Sequence, residues 1–273
     1  MPDPVPLLQV RDLYVRFDGT GGSTRHQVLA GVNLTLARGE LLGVIGGTAS
    51  GKTTLGRAIV GMTRIQRGTI TLDGQPISGL GHRAQVALRR SGRIGFIFQD
   101  PLRSLDPRMT VADSVAEGLA IRGLNRRDRT QAADTALELV GLDPALALRR
   151  PGEISGGQRQ RAAIARSLAL ESELLICDEP VSALDAANRG DILRLLTRIR
   201  DDLGVAMMVI SHNLVSLAQV ADSIAVLHDG RIIEHASAAT VFSSPAHPYT
   251  ERLIAASTSL SHARHPADDR RWP

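Results

Sequence analysis

Three clusters of residues place phosphate or metal chemistry at turn-like positions. Gly46, Gly47, Thr48, Ala49, Ser50, Gly51, Lys52, Thr53 and Thr54 read GGTASGKTT and follow the apolar run ELLGVI. The spacing from Gly46 to Gly51-Lys52-Thr53 is that of a loop whose backbone amides wrap β- and γ-phosphates. Lys52 supplies a cation to bridge their oxygens, and the Thr53 hydroxyl is a Mg²⁺ ligand. A helix opening here adds about half a positive charge facing the anion. The second cluster, ELLICDEP (173–180), is an apolar run ending in two carboxylates. Asp178 at the carboxyl end of a strand can hold Mg²⁺ through water, and Glu179 can orient or deprotonate an attacking water. Such a pair alone is as often a solvated turn; beside a phosphate loop it becomes specific. The third is ISGGQRQR (154–161), in which Ser155, Gly156, Gly157 and Gln158 open a helix and make a second anion site. One nucleotide has no use for two γ-phosphate cradles in one chain. The pattern fits two chains facing head-to-tail, each closing the other's site; the plainer alternative is a capped helix start.

These clusters need strands and helices to hold them. Residues 7–17 and 28–40 alternate apolar and polar, as half-buried strands do, with a Gly/Ser-rich turn at 18–27 between them. LLGVI (41–45) is a continuous apolar run, as in a strand covered on both faces, and 53–62 has helical spacing. Short strands are expected at 68–74, 94–100, 174–179 and 205–211, and one more over 223–233, with an amphipathic helix from 186 to 204. Between 107 and 170 the pattern is helical throughout. Strands alternating with helices imply an α/β fold with a mostly parallel sheet, an N-terminal antiparallel β lobe and a helical insertion subdomain. Residues 1–256 read as one domain, and 257–273 as a polar, loosely ordered tail.

Composition narrows the classes. The chain has 273 residues, enough for a large core, and one cysteine, Cys177, which excludes an intrachain disulfide and a cysteine-only metal cluster. Cys177 lies in an apolar strand pattern and reads as an inert core thiol, at home in a reducing cytoplasm. Aromatic residues make up 3%, too few for base stacking to be a theme. Arginine clusters at 122–129 and 264–271 suit nucleic acid or an anionic surface, but solvated faces explain them with less. No signal-peptide pattern opens the sequence, and no apolar run approaches the ~20 residues that span a bilayer.

On these motifs, and over nearly its whole length, the chain resembles the ATP-binding cassette family, with its P-loop NTPase core. The resemblance makes Gly46–Thr54 the Walker A loop, 174–179 the Walker B strand and ISGGQ the signature motif. It identifies Gln99 in FIFQDP with the Q-loop glutamine, a ligand of Mg²⁺ or the water. SALD (182–185) is similar to the D-loop, with Asp185 contacting a partner subunit, and His212 in VISHNL to the switch histidine, which touches the γ-phosphate and Glu179. Phe17 sits where the family places an aromatic under adenine; a core phenylalanine is the other reading. Thr48 and Ala49 depart from the family's usual Ser-Gly, and Ala49 adds a Cβ that puts the loop geometry in question. Ile154 for the usual leucine is conservative.

Only 55 residues separate Gln99 from Ser155, too few for the coiled coils of chromosome-type relatives. FQDPLRSLDPRMTV (98–111) and VFSSPAHPYTERLIAA (241–256) resemble elements of peptide and nickel import cassettes. The resemblance implies ATP and Mg²⁺, a second cassette of the same or a homologous chain, integral membrane permease subunits and an extracytoplasmic solute-binding protein, at the cytoplasmic face of the cell membrane. Peptides are the first expectation for the solute and nickel or another metal chelate the second. A soluble cassette ATPase acting on nucleic acid or a protein assembly is the rival class, although no nucleic-acid partner is expected.

Overall fold

Alternation along the apolar strands decides the layering, because successive side chains point to opposite faces of a sheet. Residues 5–18 and 25–262 are described in the computed structural model of the chain; the tail from 263 on, the 264–271 arginine cluster and residues 19–24 of the expected turn lie outside these ranges. In chain order the elements are β1 (Leu8–Asp18), β2 (Arg25–Leu36), β3 (Leu41–Ile45), α1 (Lys52–Ile59), β4 (Arg67–Leu72), β5 (Gln75–Pro76), α2 (His82–Ser91) and β6 (Ile94–Ile97). Then come α3 (Val111–Ile121), α4 (Arg126–Leu139), α5 (Gly156–Leu168), β7 (Leu174–Asp178), α6 (Ala186–Leu203), β8 (Ala206–Ser211) and α7 (Leu214–Ala218). The chain continues through β9 (Ser223–His228), β10 (Arg231–Ser237), α8 (Ala238–Ser243) and α9 (Pro248–His262).

A six-stranded sheet runs β10-β9-β3-β8-β7-β6, parallel except for β10, and a four-stranded antiparallel sheet runs β2-β1-β4-β5. Val44, Ile176, Met208 and Ile210 join one apolar cluster with α1 and the antiparallel lobe. Their neighbours Ile45, Cys177, Met207 and Val209 join another with α3 to α7. Both faces of the central strands are therefore covered, which is why β3, β7 and β8 read as unbroken apolar runs. Cys177 is fully buried, and burial pushes its thiol pKa far up, so it stays protonated.

The expected strand over 223–233 is two strands. Asp229 and Gly230 both take positive φ, 45° and 72°, and turn the chain into a hairpin. A Cβ at Gly230 would strike the Val28 carbonyl, while the Gly230 carbonyl accepts from the Ala30 amide at 2.8 Å. The hairpin thus fastens the edge of the main sheet to the antiparallel lobe. Helix α2 has no counterpart in the sequence reading; it buries no residue fully, and only four of its ten residues, Ala84, Val86, Ala87 and Leu88, are apolar. Helix α9 runs to His262, so the first part of the tail expected to be loosely ordered from 257 on is helical.

Candidate functional site

Register brings the chemistry to one edge. Strands β3, β8, β7 and β6 are parallel neighbours in which Ile45 pairs with Ser211, Ile210 with Asp178 and Cys177 with Ile97. The loop after Ile45, Glu179 after β7, His212 after β8 and Gln99 after β6 all leave the carboxyl ends of the strands together, where open α/β sheets bind ligands. An open cleft of about 490 Å³ is lined by the loop from Thr48 to Thr54, Gln99, Glu179 and His212, with His26 and Val28 from the antiparallel lobe.

The loop is shaped by its backbone. Gly51 has φ 104°, and a Cβ there would lie 2.8 Å from Leu29 Cδ2. Ala49 takes φ 62° despite its methyl group, a left-handed conformation costing an L-residue roughly 1–2 kcal/mol. The departure at this position therefore leaves the left-handed turn in place and adds local strain. Lys52 is buried, and its Nζ donates to the carbonyls of Gly46 at 2.9 Å and Gly47 at 2.8 Å. Burial lowers its pKa, against the opposing fields of Glu179 and Asp178.

Thr53 Oγ1 donates to Asp178 Oδ1 at 2.9 Å, joining the hydroxyl at the helix start to the acid at the end of β7. A small recess of about 120 Å³ beside them is lined by Thr53, Arg57, Phe98, Gln99, Asp100 and Asp178. The hydroxyl, carboxylate and amide oxygen are hard donors of the kind Mg²⁺ takes. Among the described residues no group of three His, Cys, Asp or Glu gathers into an all-protein metal cage. Mg²⁺ usually takes one or two carboxylates and fills its shell with phosphate and water.

Burial is the largest influence on Asp178 and raises its pKa, against the hydrogen bond from Thr53. A carboxyl whose folded pKa is raised costs stability in its charged form. That cost is absent below the unfolded value of about 3.9 and grows as pH rises through the folded one. Asp178→Asn should therefore raise Tm at pH 7 in metal-free buffer, with the gain shrinking toward pH 4. A lower Tm across that range contradicts the argument.

Glu179 also has positive φ, 52°, and its amide donates to the Ile210 carbonyl at 2.9 Å. Its carboxylate, 14% exposed, meets His212 Nδ1 at 2.7 and 2.9 Å. Backbone strain of this kind gathers at functional sites. The carboxylate can accept a proton while the imidazole fixes its direction.

Other residues singled out in the sequence lie elsewhere. Ser155 caps α5: its Oγ accepts from the Gln158 amide at 3.3 Å, and Gln158 Oε1 accepts from the Ser155 amide at 2.8 Å. This reciprocal cap leaves the first helical amides, at Gly156 and Gly157, without partners inside the helix. Asp185 caps α6, accepting from the Asn188 amide at 2.9 Å and side chain at 2.7 Å. Among the described residues, neither this pair of caps nor Phe17 lines the cleft. Phe17 is 48% exposed, which removes the core reading, and it pairs across the sheet with His26 at the cleft wall. His26, Val28 and Arg57 escaped the sequence reading; His26 lay within the expected 18–27 turn, where the structure has it on β2 paired with Phe17.

A family profile described as ABC transporter matches residues 29–182. The glutathione import ATP-binding protein GsiA of Shigella flexneri is 44% identical over 260 residues, covering 93% of this chain and 41% of that protein. The chain thus spans well under half the length of that relative. A Brucella ovis protein, named provisionally as a peptide import ATP-binding protein, is 40% identical over 252 residues, or 92% of this chain and 78% of its own. Among solved structures, cbiO1 of Clostridium perfringens, part of the ABC transporter complex cbiONQ, aligns with TM-score 0.78 and 27% identity over 95% of this chain and 99% of its own. A dimeric ATP-binding cassette, MJ0796, bound to ADP and Pi aligns with TM-score 0.76 and 26% identity over 85% of this chain and 98% of its own. With the phosphate loop, the acid pair and the capped signature turn on one scaffold, the sequence match and the shape agree: the chain belongs to the ABC transporter family.

Proposed function

We propose that this chain is the ATP-binding and ATP-hydrolysing subunit of an importer for peptides or a related small solute. The observation that carries the reading is the gathering of Lys52, the Thr53–Asp178 pair, Gln99 and the Glu179–His212 pair at the carboxyl ends of four adjacent strands. Residues 1–256 act as one nucleotide-binding unit. Amides of the loop after Gly47, from Thr48 to Thr54, and the Lys52 ammonium bind the β- and γ-phosphates, and Phe17 stacks on the adenine. Thr53, Asp178 and Gln99 hold Mg²⁺, which supplies neutralisation of phosphate charge. Glu179 takes the proton of the attacking water, and His212 directs that carboxylate and the γ-phosphate. The water oxygen bonds to the γ-phosphorus as its bond to the bridging oxygen breaks, releasing ADP and phosphate.

A second cassette completes the site. The Ser155–Gln158 turn, which does not line its own cleft, grips the γ-phosphate bound by the partner, and Asp185 lies at that junction. ATP must then favour the closed pair strongly over the open one. Motion passes to permease subunits through the segment after Gln99. There a groove of about 500 Å³ includes Leu105, Asp106, Arg108, Glu117 and Arg166. Arg166 braces it by donating to the Ser104 carbonyl at 2.7 Å and to Glu117 at 2.5 Å. Arg108 holds the Asp106 carboxyl at about 2, so the groove keeps its charge at any physiological pH. Among the described residues no helix is long and apolar enough to cross a membrane. The permease subunits supply the span, with this chain at their cytoplasmic face. An extracytoplasmic binding protein delivers the solute.

Purification of the tagged full chain in detergent tests the assignment. Integral membrane subunits should accompany it, and ATP hydrolysis by the complex should rise with solute-loaded binding protein. Ribosomes or DNA as the stoichiometric partner would overturn it.

A further inference from the structure

One side chain at the phosphate loop comes from the far end of the chain. Tyr249, on the first turn of α9, accepts a hydrogen bond at its hydroxyl from the Gly47 amide at 2.9 Å, across 202 positions of sequence. The peptide unit joining Gly46 to Gly47 is thereby held from both sides. Its N–H goes to Tyr249, and its carbonyl, that of Gly46, accepts from Lys52 Nζ at 2.9 Å. Bonds in such a chain polarise one another, and the plane of the peptide fixes where its carbonyl points.

The tyrosine is itself positioned. Its ring stacks on His228 at the end of β9, with centroids 3.8 Å apart and planes 21° from parallel. His247 Nδ1 accepts from the Tyr249 amide at 3.0 Å, and the His247 carbonyl accepts from the Thr250 amide at 2.9 Å. Just upstream, the buried Glu234 of β10 accepts from the Ala246 amide at 2.8 Å. Gly47 is fitted to this arrangement: a Cβ there would lie 2.9 Å from the Tyr249 hydroxyl. The phosphate-loop pattern requires glycine at 46 and 51 but not at 47. The tyrosine supplies the reason for the extra one.

We propose that Tyr249 is a positioning residue for the nucleotide site, aiming the Gly46–Gly47 peptide so that Lys52 is set for the incoming phosphates. The C-terminal helix is then part of the ATP site. The inference rests on the ATPase reading above.

Tyr249→Phe keeps the stacked ring and deletes the hydroxyl. In the full chain it should raise KM for ATP, and Kd for a fluorescent ATP analogue, by about threefold to tenfold, with kcat within twofold and Tm unchanged. A merely structural tyrosine would lower Tm without this split. A double-mutant cycle adds an independent reading: Gly47→Ala should weaken nucleotide binding less when Tyr249→Phe is already present, because the clash with the hydroxyl is gone. Wild-type KM and Kd in Tyr249→Phe, or strict additivity in the cycle, overturns the proposal. Failure of the unmutated chain to bind or hydrolyse ATP would instead sink the ATPase reading itself.

Discussion

Glu179→Gln should lower ATP turnover by about 10²- to 10⁴-fold, the usual worth of a positioned general base, while ATP binding persists. The argument is geometric. Glutamine matches the carboxylate in shape and keeps an oxygen for His212 Nδ1, now 2.7 Å away, so the local packing survives. It has no basicity at neutral pH, so the proton of the attacking water has nowhere to go. The backbone at 179 is held by the Ile210 carbonyl and does not depend on the side-chain charge. Nucleotide should enter normally and stay, trapping two chains around it. Phosphate release together with light scattering on a sizing column would record both effects. Turnover within a few-fold of the parent, or a chain that stays monomeric with ATP bound, removes Glu179 from the role of base.

Lys52→Ala should act one step earlier. A hydrogen bond from a charged group is worth about 1.5–3 kcal/mol, which corresponds to roughly 10- to 150-fold in Kd for ATP. Lys52 starts from bonds to the Gly46 and Gly47 carbonyls, so part of its gain on meeting phosphate is an exchange of partners. Its deletion also leaves those carbonyls without their cation and loosens the first half of the loop. Titration with a fluorescent nucleotide would measure the loss, with Lys52→Arg as a charge-preserving comparison. A Kd within threefold of the parent would show that the amides alone carry the phosphates.

The fold was legible where one signal ruled. Strands β3, β7 and β8 are apolar throughout because both sheet faces are covered, and the phosphate loop has a spacing few other structures need. The Asp229-Gly230 turn was present in the sequence as a hairpin signal, but apolar residues on either side let 223–233 read as one strand. Helix α2 was hidden for a different reason: it is short and mostly polar, with few apolar positions to set a period. The link from Tyr249 to Gly47 had no local trace: nothing around HPYT in the sequence points to the phosphate loop, and no periodicity reports what lies across the fold. Ala49 raised a question in sequence that only a dihedral angle could answer. The pairing of Ser155 with a second chain stays outside any single chain, where sequence and fold show only a well-capped helix.

The backbone bond from Glu179 to Ile210 has a mechanical corollary. Ile210 lies on β8, His212 is the first residue beyond the end of that strand, and His212 returns to the Glu179 side chain. Acid and imidazole are thus bolted to a common beam and travel as one piece when the sheet shifts. Timing has to be set by whatever wall of the cleft slides past that beam. Gln99, just past the end of the outermost parallel strand and a few residues ahead of the segment that forms the 104–108 groove, is placed to act as the clutch.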